Sequence, residues 1–187
     1  KITHLIEIGI DAMILEDYDK GALNENNIQR IISEANKQNI PVTADPKKDN
    51  FHHYAGLSLF KPNLKELKEG LNIDFSFENE RNAFETAVQK LRTAVPHEVS
   101  LITLSEHGVY ICDNSKKTHI EAHKREITDV SGAGDTVIAV ATLCLLSEAP
   151  LEAIAKISNI AGGMVCEKPG VVSISFEELK KEVRELL

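Results

Sequence analysis

Short apolar runs alternate with stretches of helical periodicity along most of this chain. Ala12–Leu15 is apolar and brief, as a buried strand would be. From Asn24 to Gln38 the residues Ile28, Ile31, Ile32 and Ala35 recur at helical spacing, and Asn24 stands where a cap belongs. Pro41–Asp45 reads as a second strand that ends in the polar loop Pro46–Asn50. Leu57–Phe60 is a third, after which Lys61-Pro62-Asn63 opens a short helix, Asn63–Glu69. Glu78–Val95 places Phe84, Ala87, Val88 and Leu91 on one helical face. Val99–Leu104 is a β-branched strand, and Gly108–Cys112 and Thr118–Ala122 alternate as antiparallel additions do. The opening residues Lys1-Ile2-Thr3-His4 are expected to lead straight into the first strand.

Strands joined by helices predict an α/β fold with a parallel sheet covered on both faces. The last third differs: Thr136–Leu146 and Leu151–Val165 are apolar nearly all round and are expected to lie deep, while Phe176–Leu187 is a charged amphipathic helix. The apolar run within Val137–Leu146 is broken by Thr142, well short of the ~18 residues of a membrane span. No basic segment followed by an apolar one opens the chain, so neither a signal peptide nor a membrane segment is expected. At 187 residues, with no repeat or linker, one domain is expected.

Charge narrows the possible partners. A net charge of −8 gives no basic stripe for nucleic acid, so an anionic substrate must be held by a local device. Cys112, Cys144 and Cys166 are odd in number and form no CxxC pair, which fits small apolar side chains in a reducing cytoplasm.

Asp129-Val130-Ser131-Gly132-Ala133-Gly134-Asp135-Thr136 is the most informative stretch. A turn of small residues feeds a helix, whose start offers backbone N–H groups and the positive end of its dipole. Gly132, Ala133 and Gly134 let a phosphate oxygen come close, and Asp135 in the first turn can take a proton from an attacking hydroxyl. The same run also reads as a plain glycine-rich turn with Asp135 placed by the dipole. The chain has no GxxxxGK[ST], and Val137 breaks the dinucleotide fingerprint.

Four segments in order resemble the ribokinase-like (phosphofructokinase B-type) sugar kinases. These are Asp129–Asp135, Lys61-Pro62-Asn63-Leu64-Lys65-Glu66, Thr103-Leu104-Ser105-Glu106-His107-Gly108, and Asn159 with Ala161–Gly170. Within that family the likeness is nearest to the domain that phosphorylates heptose 7-phosphate on the ADP-heptose route to lipopolysaccharide. Glu16-Asp17-Tyr18-Asp19-Lys20-Gly21-Ala22-Leu23 resembles that group's Ser-Asp-Tyr-x-Lys-Gly-x-Leu, and Asp45-Pro46-Lys47, Ser105-Glu106 and Asp129-Val130-Ser131 also resemble that group's segments. Glu16 departs from the group's serine, and Ser105 from the wider family's glycine.

The resemblance implies a three-layer αβα sandwich with a mostly parallel sheet, and in-line transfer from MgATP to a sugar or sugar-phosphate hydroxyl. Asp135 is implied as the base, and Gly132, Ala133 and Gly134 as the anion hole. Asn63 and Glu66 fall near the phosphates, with Glu66 reaching Mg²⁺ through water. Thr103, Ser105, Glu106 and Gly108 line the ATP ribose and phosphates, and Asn159 approaches the adenine. Asp129 and Ser131 lie where some members hold a monovalent cation such as K⁺. Asp17, Tyr18, Lys20 and Lys47 are candidates for the substrate cleft.

By this resemblance, residues 1–187 are expected to cover the C-terminal portion of one kinase domain, without the family's first strands, lid and Gly-Gly sugar signature. They are expected to act with a further N-terminal portion or as a homodimer. A non-catalytic nucleotide-binding module and a kinase for another sugar are the alternatives. His119 and His123 mimic a metal pair at i, i+4, but in a strand such residues lie ~13 Å apart. His52-His53 reads as polar loop.

Overall fold

In the computed structural model, which describes residues 2–187, the chain divides after Ile102 into two units. In the first, β1 (Met13–Glu16), β2 (Val42–Asp45), β3 (Leu57–Phe60) and β4 (His97–Thr103) lie side by side in that order, all parallel. Glu16 pairs with Asp45, Ala44 with Phe60, and Phe60 with Ser100. Every position of β2 is buried, as expected for an inner parallel strand.

The helices α2 (Glu25–Lys37), α3 (Leu64–Leu71) and α4 (Arg81–Ala94) fall within two or three residues of their predicted limits. The apolar face predicted for α2 is the one buried, and Asn24 closes a capping box with Asn27. The four residues predicted on the inner face of α4 are likewise buried. The N-terminus differs from expectation, because Ile2–Ile8 forms a helix, α1, ahead of β1. Two turns are too short to show periodicity, and Gly9 (φ +87°) ends the helix in a left-handed turn.

Aromatic rings fill the core of this unit. Phe60 meets Phe51 edge-on with centroids 5.5 Å apart, and lies 5.8 Å from Tyr54 and 5.3 Å from His97. Phe51 lies so close to α3 that a Cβ on Gly70 would stand 2.4 Å from its ring.

The second unit holds an antiparallel hairpin, β5 (Val109–Cys112) and β6 (Lys117–Ile120), and three helices, α5 (Ala133–Leu146), α6 (Leu151–Cys166) and α7 (Phe176–Leu186). Gly162 of α6 admits α5 closely, since a Cβ there would lie 2.7 Å from Val137 Cγ2. The expectation that both apolar helices lie deep holds for α6 and not for α5. Of α5 only Val137, Ile138, Ala141 and Thr142 are buried, and Leu143 is 63% exposed. An all-apolar composition hides which side faces a neighbour, and here α6 takes one side. No described helix is long and apolar enough to cross a membrane.

His97 opens β4 in an apolar setting. Burial pushes its imidazolium down to about 4, against help from the Val95 carbonyl, with Arg92 adding repulsion. Val95 O can only accept, so Nδ1 carries the proton of the neutral ring, and Nε2 faces Ser100 Oγ at 2.6 Å. The folded state thus binds this proton less well than the unfolded chain. Stability should be unaffected above about pH 6.5 and fall between about pH 6.5 and 4, by up to about 3 kcal/mol. Urea titrations at pH 7.5 and 4.5 on wild type and His97→Gln should show a smaller pH loss in the variant.

Candidate active site

In the first unit the parallel strands deliver charged side chains at their carboxyl ends, the edge where α/β proteins bind ligands. Asp17 follows β1, Asp45 ends β2, and Lys61 follows β3. Asp45 and Lys61 are both buried and pair at 2.8 Å through Asp45 Oδ2. Asp45 Oδ1 is buried with no hydrogen-bond partner in the structure, an acceptor that a ligand or water would satisfy. Lys61 N also donates to Ala44 O at 2.8 Å, so the pair locks the exit of β3 onto β2.

That lock sets the start of α3. Asn63 Oδ1 accepts from Glu66 N at 2.8 Å, and Glu66 Oε2 accepts from Asn63 N at 2.8 Å, a capping box. Glu66 is buried, and its Oε1 accepts from Lys47 Nζ. Burial works against the Lys47 ammonium, but the Glu66 hydrogen bond and the nearby carboxylates outweigh it and raise its pKa. Asn63, Glu66 and Lys47 are therefore gathered at one place, a grouping that the sequence had not placed together.

Tyr18 and Lys20 stand exposed on the loop after β1. Asp17 differs from them: it is buried, and its carboxylate turns inward to Tyr54 and Asn50. Neither Tyr54 nor Asn50 was singled out from sequence, and neither was the Asp45–Lys61 pair. Their only sequence signal is polar residues abutting strand ends.

In the second unit, Gly132 (φ +78°) caps α5 in a left-handed turn, with Asp135 in the first helical turn. No side chain caps this helix, whereas α2, α3 and α7 each close with a box. Gly132, Ala133 and Gly134 thus leave the helix start lined by backbone. A Cβ on Gly132 would lie 3.3 Å from Val171, so glycine keeps this approach open.

Asp129 shapes the turn. Its Oδ1 accepts from Ser131 N at 3.0 Å and Ser131 Oγ at 2.8 Å, and its Oδ2 from Gly170 N at 3.0 Å. The Ser131 amide, then its hydroxyl and the Gly170 amide, hold its carboxyl below the usual range. Arg125 fastens the preceding segment, donating to Glu167 and Glu182 at 2.6 Å each. Burial opposes this cation, and the two glutamates more than compensate.

Thr103 is the last residue of β4, and Ser105 and Glu106 lie exposed in a 3-10 turn. Ser105 takes φ +53°, which explains why glycine serves at that place in the resembling motif. Gly108 is obligatory on space, since a Cβ would stand 2.0 Å from Ile120 O. Asn159 Nδ2 donates to Glu121 O at 2.9 Å, tying α6 to the segment after β6. His119 Nε2 lies 2.7 Å from His107 O, and β6 ends at Ile120, so His119 and His123 share no helix face. The cysteines are free, with Cys112 buried and the other two half-buried.

Residues 11–178 match the family described as pfkB family carbohydrate kinase, and the chain belongs to that family. It is 40% identical over 170 residues to the bifunctional protein HldE of Campylobacter jejuni, and 36% identical over 173 residues to that of Methylobacillus flagellatus. These alignments take in 90% and 92% of the chain but 36% and 35% of the relatives, so the chain spans about a third of their length. Among solved structures, Escherichia coli phosphofructokinase-2 in complex with potassium superposes with a TM-score of 0.86 at 21% identity. That match covers 99% of this chain and 60% of the other. Ribokinase of Arabidopsis thaliana, complexed with ribose and ATP, gives 0.78 at 16% identity, covering 92% of this chain and 55% of the other. The fold is ribokinase-like.

Removing Lys61 tests the buried pair. Lys61→Met leaves Asp45 Oδ2 without its cation and should cost about 3–5 kcal/mol in urea unfolding. Adding Asp45→Asn should restore most of that loss.

Proposed function

We propose that this chain forms the C-terminal, nucleotide-binding portion of a sugar kinase domain that moves the γ-phosphoryl group of MgATP to a hydroxyl of heptose 7-phosphate. The observation that carries this reading is the left-handed Gly132 turn into α5, with no side-chain cap and Asp135 in the first turn. Family membership supports the reaction class. The Asp17–Leu23 and Asp45–Lys47 segments support the acceptor, together with the likeness to HldE proteins.

In this mechanism Asp135 takes the proton of the acceptor hydroxyl as its oxygen bonds to the γ-phosphorus. The bond to the bridging oxygen breaks and ADP leaves. Backbone N–H groups at Gly132, Gly134 and Asp135 receive the negative charge that develops, beside Ala133, whose own N–H donates to Val130 O at 3.3 Å. Mg²⁺, when bound, offsets phosphate charge, and Glu66 would hold it through its waters, with Asn63 near the phosphates. Glu66 Oε1 takes the Lys47 ammonium, which supports a cation-facing role for this carboxylate. Thr103, Ser105, Glu106, Gly108 and Asn159 would line the nucleotide, and the turn of Asp129 and Ser131 would take K⁺. Acceptor contacts beyond these residues would come from the rest of the polypeptide or a second copy. Three free cysteines suit a reducing cytoplasm.

Millimolar MgATP should raise the melting temperature by several degrees, because ligand at 100 times its Kd adds about 2.7 kcal/mol. No shift would overturn the nucleotide assignment. Asp135→Asn should keep that shift and lose about 10³-fold or more in ADP production; turnover near the wild-type rate would remove Asp135 as the base.

A further inference from the structure

The loop from Asp17 to Leu23 leaves the carboxyl end of β1 and carries Tyr18, 55% exposed, and the exposed Lys20. Asp17, beside them in the chain, is 4% exposed. Both of its carboxylate oxygens are engaged by protein donors. Oδ2 accepts from Tyr54 Oη at 2.8 Å and from Asn50 Nδ2 at 2.9 Å, and Oδ1 accepts from Asp19 N at 2.9 Å. Asn50 Nδ2 also donates to Leu23 O at 3.3 Å, so one amide touches both ends of the loop. Asp19 sits at φ +50°, a conformation that a non-glycine residue keeps when its surroundings fix it.

The clasp is anchored from behind. Tyr54 is fully buried, and burial, then Asp17, keeps its hydroxyl protonated and donating. The turn Phe51–His53 between Asn50 and Tyr54 is pressed on α3, with Phe51 against Gly70 and His52 Nε2 2.8 Å from Gly70 O. A carboxylate turned this way offers nothing to an anionic acceptor, while the loop that it shapes holds out the Lys20 ammonium and the exposed Tyr18 ring, whose hydroxyl donates to Glu16 Oε2 at 3.4 Å.

We infer that Asp17 is a positioning residue, which Asn50 and Tyr54 clasp so that its loop presents Tyr18 and Lys20 to a phosphorylated acceptor. The inference rests on the sugar-phosphate kinase reading for its ligand, but the clasp itself stands on geometry alone.

Asn50→Leu and Tyr54→Phe test it, since both leave Asp17, Tyr18 and Lys20 in place. In the complete protein, native-state trypsin cleavage after Lys20 should become about tenfold faster, because loss of hydrogen bonds to a charged group lowers the local opening free energy. The KM for heptose 7-phosphate should rise about tenfold with the KM for MgATP within about twofold, which general destabilisation would not produce. Wild-type cleavage at Lys20 with an unchanged acceptor KM in both variants would overturn the inference. If Asn50→Leu fails to fold, Tyr54→Phe decides alone. If the wild-type protein phosphorylates no sugar phosphate, the kinase reading fails, and the cleavage rates still decide the clasp.

Discussion

The buried ion pair between Asp45 and Lys61 is the interaction on which the site of the first unit depends. Parallel strands all point one way, so whatever follows each strand is brought to a common edge. Charges arriving there are withdrawn from water and must find partners. Lys61 meets the need of Asp45, and its amide bonds to Ala44 in the same stroke. Because Pro62 and Asn63 follow directly, this contact fixes where α3 begins and so where Glu66 points. Because Pro46 and Lys47 follow Asp45, it fixes the other side of the same contact, at which Lys47 meets Glu66.

In a chain with a net charge of −8, positive potential is local. The two units supply it differently. The first uses single ammonium groups, Lys47 held by a carboxylate and Lys20 exposed on a loop. The second uses backbone dipoles at the start of α5, whose amides need no counter-charge and cost no side-chain entropy. Glycine at 132 keeps the approach to those amides open, by its left-handed backbone and by the room left beside Val171.

Much of the fold was legible because its cause is local. The faces of α2 and α4 follow from apolar spacing, and strand ends from polar residues after short apolar runs. The turn at Gly132 was legible for the same reason: small residues before a helix state a local requirement. Contacts set by register were not. Asp17 meets Tyr54 and Asn50 across 37 and 33 residues, and nothing near Asp17 in the chain tells that its carboxylate turns inward. Asp45 and Lys61 each stood in a quoted motif, yet their pairing appears only once β2 and β3 lie side by side. The burial of α5 was misjudged because composition gives apolarity without direction, and α1 was missed because two turns show no period.

No residue of α7 is fully buried, and Phe176 at its start is 73% exposed. Its charged ties are Glu182 to Arg125 and Glu178 to Lys168, beside the half-buried Leu179 and Val183. A helix fastened partly by charge responds to different conditions from the aromatic core. Salt screens the exposed Lys168–Glu178 contact, while heat and urea act first on buried apolar surface. The first turn of α7 can therefore loosen at high ionic strength while Glu182 stays tied to the buried Arg125 side chain, and that turn's amide hydrogens would exchange before those of α6.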